Sequence, residues 1–123
     1  MSDLRQSLGT SGEQIAATFL HKKGYAIVER NYRCRHGEID IIAQDGDYLV
    51  FVEVKTRKSK KYGTPAAAVD HRKQKQICRV TAFYLQHHSL HDIDLRFDVI
   101  AIHITTRSTK KIDHFINAFE YCI

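Results

Sequence analysis

The chain has 123 residues, 43% hydrophobic and 27% charged, with a formal net charge of +5 and an isoelectric point near 9.2. That length suits one domain around one core without covalent staples, and no apolar run approaches the ~18 residues of a membrane helix. Residues 1–8 lack the apolar centre of a signal peptide, so the expectation is a single cytoplasmic domain over 1–123 with no membrane contact, frayed over 1–10.

Cys34, Cys78 and Cys122 are odd in number and form no CxxC pair, which argues against a disulfide framework or a cysteine-based zinc site. The excess positive charge fits a polyanionic partner. It falls in three groups: Arg30, Arg33 and Arg35; Lys55, Arg57, Lys58, Lys60 and Lys61; and Arg72, Lys73, Lys75 and Arg79. These are either three solvated faces or the walls of one groove.

In chain order, a first helix is expected from Ser11, where Ser11 and Gln14 have capping-box spacing and Glu13 would sit in the positively polarised first turn. Ile15, Ala16, Phe19 and Leu20 share its apolar face, and Gly24 stops it. Strands follow at 25–32, 37–43 and 48–56, the last two joined at Asp45-Gly46, a strong hairpin signal. Residues 57–63 read as a basic loop. A second helix spans 65–88 with a break near Asp70, and Ile77, Val80, Thr81, Tyr84 and Leu85 form its buried stripe. Strands at 93–104 and 111–119 complete the order αβββαββ, a mixed sheet flanked by helices, α/β or α+β in class.

The hairpin carries the chemistry. Residues two apart share a strand face, so Glu38 pairs in facing with Asp40, and Glu53 with Lys55. With Asp45 and Gly46 as the loop, Asp40 lies opposite Phe51 and Glu38 opposite Glu53. Asp40 and Glu53 are then diagonal neighbours on one face. Such crowding needs either water and basic neighbours, as on a solvated sheet face, or a divalent cation, for which carboxylate oxygens suit Mg2+. The hairpin alone leaves both open. Ile39, Ile41, Val50, Val52 and Val54 are expected on the opposite, core face.

Gly12-Glu13 with Ala16-Ala17, Gly37-Glu38-Ile39-Asp40-Ile41-Ile42-Ala43 and Phe51-Val52-Glu53-Val54-Lys55-Thr56-Arg57 together resemble the YraN family. The resemblance continues through Lys73-Gln74, Ala82, Tyr84-Leu85, Arg96-Phe97-Asp98-Val99-Ile100 and Asn117-Ala118-Phe119. It implies the restriction-endonuclease-like, or PD-(D/E)XK, superfamily, similar to archaeal Holliday junction resolvases. By that resemblance Asp40 and Glu53 are metal ligands together with the main-chain carbonyl of Val54. Lys55 is the motif lysine, and Glu13 is an added carboxylate for catalysis or metal. The implied cofactor is Mg2+ or Mn2+, and the implied activity is phosphodiester hydrolysis in structured or branched DNA, by an enzyme able to act as a symmetric homodimer. Ile39 stands where the motif's proline would be.

Arg57, Lys58, Lys60, Lys61 and Lys73 are the expected nucleic-acid contacts, with salt-sensitive binding to the backbone. Lys73 also suits a snorkelling role at the core margin, and Glu13 a helix N-terminal charge. Glu38 reads as a solvated side chain and Asp98 as a structural acid. His87, His88 and His91 cluster without a matching Cys/His pair elsewhere. The alternatives to a nuclease are a nucleic-acid-binding module that keeps the fold without turnover, and a protein-interaction scaffold.

Overall fold

A computed structural model describes residues 4–57, 69–104 and 110–122, with the side chains of 4–11 and 110 excepted. The elements are α1 (Leu4–Lys22), β1 (Ala26–Cys34), β2 (Gly37–Asp45), β3 (Tyr48–Arg57), α2 (His71–His87), β4 (Asp94–Ile104) and β5 (Lys110–Phe119). They form a five-stranded sheet in the order β1-β2-β3-β4-β5, antiparallel except for the parallel β3–β4 pair. Parallel neighbours cannot be joined by a tight turn. The segment containing α2 makes that crossover, which gives the expected mixed α+β order.

Both faces of the sheet are covered. On one, Ala16, Ala17 and Leu20 of α1 pack with Ile41, Ala43, Val50, Val52, Ile100 and Ile102. On the other, Ile77, Cys78, Val80 and Tyr84 of α2 pack with Ile39, Ile42, Leu49, Phe51, Phe97 and Val99. Phe51 and Phe97 are almost wholly buried there, and truncating either to alanine costs about 3–5 kcal/mol.

The helices end for local reasons. After α1, Tyr25 N–H donates to Leu20 C=O and Gly24 N–H to His21 C=O, both at 3.0 Å, while Gly24 takes φ +98°. That is a Schellman stop requiring glycine. At α2, the Asp70 carboxylate accepts from Lys73 N–H at 2.8 Å and caps the helix. The break expected near Asp70 is therefore its N-terminus. The part of the expected helix over 65–68 lies outside the described residues.

Three expectations are corrected. Helix α1 begins at Leu4, so Ser11 and Gln14 stand in its interior rather than at its start. Glu13 thereby loses its helix-terminal role. The hairpin loop is Gly46-Asp47 rather than Asp45-Gly46: Asp45 pairs with Tyr48 and Ile41 with Val52, two residues away from the expected register. Gly46, at the first loop position, takes φ +58°, and Gln44 Nε2 donates to Gly46 C=O at 2.9 Å. An even slip leaves the paired residues from Ile41 to Asp45 on their expected faces, but Ile39, expected beside Ile41, packs on the opposite side with Ile42. Finally, Cys78 and Cys122 pair as a disulfide with Cα atoms 5.9 Å apart across 44 residues. The chain after β5 returns against α2, a proximity that cysteine spacing could not reveal.

Candidate active site

The β2–β3 ladder runs from Asp45↔Tyr48 to Ile41↔Val52 and stops. Extending it by one residue puts Asp40 across from Glu53, closer than the expected diagonal. There the Asp40 Oδ2 accepts from Val54 N–H at 2.8 Å, replacing a strand partner with a side-chain oxygen. Facing also changes here: Ile41 and Ala43 pack on the α1 side, Ile42 and Ile39 on the α2 side, so the alternation breaks at Asp40. Asp40 thus lies within reach of carboxyl groups from two elements, Glu13 of α1 and Glu53 of β3.

Glu53 is only 8% exposed, so it does not lie on a solvated sheet face. Burial, then hydrogen bonding and charge repulsion from Asp40, push its carboxyl up to about 9, while Lys73 and Lys55 pull the other way. Lys73 Nζ lies 3.5 Å from Glu53 Oε2 as an ion pair, yet that buried oxygen has no hydrogen-bond partner. Contact within ion-pair range but without hydrogen-bond geometry leaves the oxygen under-satisfied. Glu13 is also raised, first by burial and next by the Asp40 charge, with Asn31 and Arg30 opposing.

Glu13 reaches this point because α1 crosses β3 closely at Gly12. A Cβ there would overlap Thr56 Oγ1, so glycine is what permits the approach. Asn31, with φ +54°, and Arg30 flank Glu13 from β1. Arg30 Nη1 also donates to Gln14 Oε1 at 2.9 Å. The sequence reading missed Asn31, although an Asn among strand residues is a known mark of left-handed backbone.

The structure therefore brings Glu13, Asp40, Glu53, Lys55 and Lys73 together. Arg57 is exposed at the end of β3, its Nη1 donating to Thr56 C=O at 3.1 Å. Lys58, Lys60 and Lys61 lie outside the described residues. Glu38 pairs with Arg33 at 3.1 Å in a solvated contact.

The donor set is oxygen-rich and under-satisfied. Among the described residues no group of three His, Cys, Asp or Glu side chains is placed to hold a metal ion. Mg2+ needs no such group: it is held through one or two carboxylates and keeps its remaining positions for water and phosphate oxygens. Asp40 and Glu53 with the neighbouring main chain fit that requirement, and the orphaned Glu53 oxygen supplies an acceptor that a cation would satisfy.

A second polar cluster is structural. Asp98, fully buried, accepts from Arg96 Nε at 2.9 Å and Nη2 at 3.0 Å, and from Asn117 N–H at 3.0 Å. His114 Nε2 lies 2.8 Å from it, and Lys23 Nζ lies 2.8 Å from His114 Nδ1. The Asp98 carboxyl is held below its usual range because the His114 and Arg96 hydrogen bonds outweigh burial. Arg96 also binds Asp45 Oδ2 at 2.8 Å and the Tyr25 hydroxyl at 2.5 Å. The network ties β4 to the hairpin, to β5 and to the end of α1.

Comparison with known proteins agrees with the motif order. Residues 12–102 match the model of the uncharacterised protein family UPF0102. A UPF0102 protein of Geobacter sulfurreducens is 49% identical over 113 residues, covering 92% of this chain and 88% of its own. One from Syntrophus aciditrophicus is 51% identical over 112 residues, covering 91% and 87%. One from Caldanaerobacter subterraneus is 41% identical over 117 residues, covering 94% and 96%. The matched span runs from Gly12 through the carboxyl cluster to β4, and the chain belongs to the UPF0102 family.

Proposed function

We propose that the chain is a divalent-metal-dependent endonuclease that hydrolyses phosphodiester bonds in structured or branched DNA. The observation that carries this reading is the Asp40–Glu53 pair at the open end of the β2–β3 ladder, with a buried Glu53 oxygen lacking a hydrogen bond and two lysines beside it. A carboxylate buried at this cost needs compensation. A cation and the phosphate it recruits supply it better than two lysines that leave the oxygen unsatisfied.

Asp40 and Glu53, with the Val54 carbonyl, would hold Mg2+ or Mn2+, which supplies charge stabilisation at the scissile phosphate and acidifies bound water. The protein's own groups do the rest. Val54 N–H fixes the Asp40 carboxylate, so one ligand is oriented before substrate arrives. Lys55, on the Glu53 face of β3, places a positive charge where the phosphate's charge develops. Lys73 neutralises Glu53 and limits repulsion between the acids. Glu13 adds an acceptor for a proton or a water on the α1 side. Arg57, exposed at the end of β3, suits backbone contacts that set no sequence preference, and Lys58, Lys60 and Lys61, which follow it in the sequence, add positive charge of the same kind. A four-way junction offers two equivalent cuts, which a homodimer would match.

The test is cleavage of labelled four-way junction, flap, single-stranded and duplex DNA with Mg2+, Mn2+ or EDTA. The expected result is metal-dependent cutting that Asp40→Asn and Lys55→Ala abolish while DNA binding persists. Binding without cutting under any metal would replace this reading with that of a nucleic-acid-binding module.

A further inference from the structure

A cleft of about 520 Å3 lies between the β1–β2 turn and the C-terminal half of α2, away from the carboxyl cluster. Arg35 and His36 form its wall on the turn side, and Arg79, Phe83 and His87 its wall on the helix side. The rings are ordered: Phe83 and His87 are nearly parallel, at 8° with centroids 6.0 Å apart, and His36 meets Phe83 edge-on at 5.8 Å. Arg35 Nε lies 3.4 Å from His36 Nε2. No acidic residue lines it among the described residues.

A second cleft, of about 340 Å3, shares Arg79 and continues past Gln76 and Arg72 to Lys73, the lysine paired with Glu53, and to Asp70, whose carboxylate is engaged as the α2 cap. Residues 72, 76, 79, 83 and 87 recur at helical spacing and form one stripe of α2 that joins the two clefts, with Lys73 beside its start. From Lys73 to Phe83 is ten residues, about 15 Å of helix.

We propose that the ring-lined cleft binds an unpaired base of a DNA strand, with Arg35 and Arg79 holding its phosphates, about 15 Å along α2 from the lysine paired with Glu53. Flat aromatic faces flanked by arginines are the chemistry of single-strand binding, where a base stacks and the backbone is neutralised. An acidic peptide would use the charge but meets the rings only where it happens to carry an aromatic side chain, whereas a strand offers a flat face and a phosphate on every nucleotide. The inference deepens the nuclease reading by naming the substrate class, a strand unpaired near the cut. Binding in the cleft itself is measured without cutting.

The experiment is fluorescence anisotropy with the full chain in EDTA at one fixed low salt concentration. The probes are a 12-nucleotide single strand, the same strand with abasic sites in place of its bases, and a blunt duplex. The variants are His87→Ala, at an exposed position, and Phe83→Leu, which keeps the apolar contact with the core; circular dichroism confirms that both are folded. Each is expected to weaken single-strand binding roughly tenfold and to leave the duplex and abasic probes within twofold. Equal losses on all three probes, no loss on any, or no preference of the wild type for the base-bearing strand would overturn the proposal. Absence of cutting by the wild type in the metal-dependent assay would instead overturn the nuclease reading, and the two failures are therefore distinct.

Discussion

Glu53→Gln isolates the electrostatic cost of the cluster. In the metal-free fold the Glu53 carboxyl is pushed up to about 9 from 4.5, first by burial and then by Asp40. The folded state therefore holds a proton that the unfolded chain releases. Its stabilising effect is complete below about pH 4.5 and is lost as pH rises through about 9. At 1.36 kcal/mol per pH unit the full gap is about 6 kcal/mol. Water entry and side-chain relaxation around an ionised buried acid relieve roughly half, leaving about 3 kcal/mol. The amide introduced by Glu53→Gln cannot ionise, so the variant lacks this loss. Urea denaturation of both proteins in EDTA at pH 5 and pH 9 measures the difference. The wild type should lose about 3 kcal/mol more than Glu53→Gln over that interval, and millimolar Mn2+ should shrink the gap by stabilising the ionised site. Parallel pH profiles for the two proteins would refute the reasoning, as would a gap that Mn2+ leaves unchanged.

Two further predictions test the frame around the site. Gly12→Ala drives a Cβ into Thr56 Oγ1; it should cost about 1–3 kcal/mol in thermal or urea unfolding, and Thr56→Ala in the same chain should recover most of that loss. Asp98→Asn removes the charge between Arg96 and His114 and should cost about 3–5 kcal/mol. Because the Asp98 carboxyl is held low, its contribution is present above about pH 3.8 and lost as pH falls through its folded value. Acid titration of the wild type should show that limb, and the variant should lack it.

The elements were legible in the sequence because apolar periodicity fixes faces and glycines fix stops. Ile77, Val80, Thr81 and Tyr84 are buried as expected, and Gly24 ends α1. The expected register differs by two residues because Asp45-Gly46 and Gly46-Asp47 are both plausible turn pairs, and only the pairing of Asp45 with Tyr48 separates them. The slip was even, so Asp40 and Glu53 kept a shared face. What the sequence could not show was depth. An alternating strand looks the same with one face solvated or both covered, so the burial of Glu53 depends on α2, placed by a crossover no local pattern encodes. Lys73 was visible only as a lysine in line with an apolar stripe. Its contact with Glu53 follows from where the Asp70 cap starts the helix. The start of α1 was misplaced because Ser11 and Gln14 imitate a cap within a longer helix.

A cation at Asp40 and Glu53 is central to the nuclease reading. Titrating the protein with Mn2+ while following the free-ion electron paramagnetic resonance signal tests this without DNA or turnover. The wild type is predicted to take up Mn2+ at this site, with Asp40→Asn and Glu53→Gln each weakening the uptake at least tenfold and Glu38→Gln leaving it unchanged. Identical uptake by the wild type and Asp40→Asn, or none by the wild type, would contradict it.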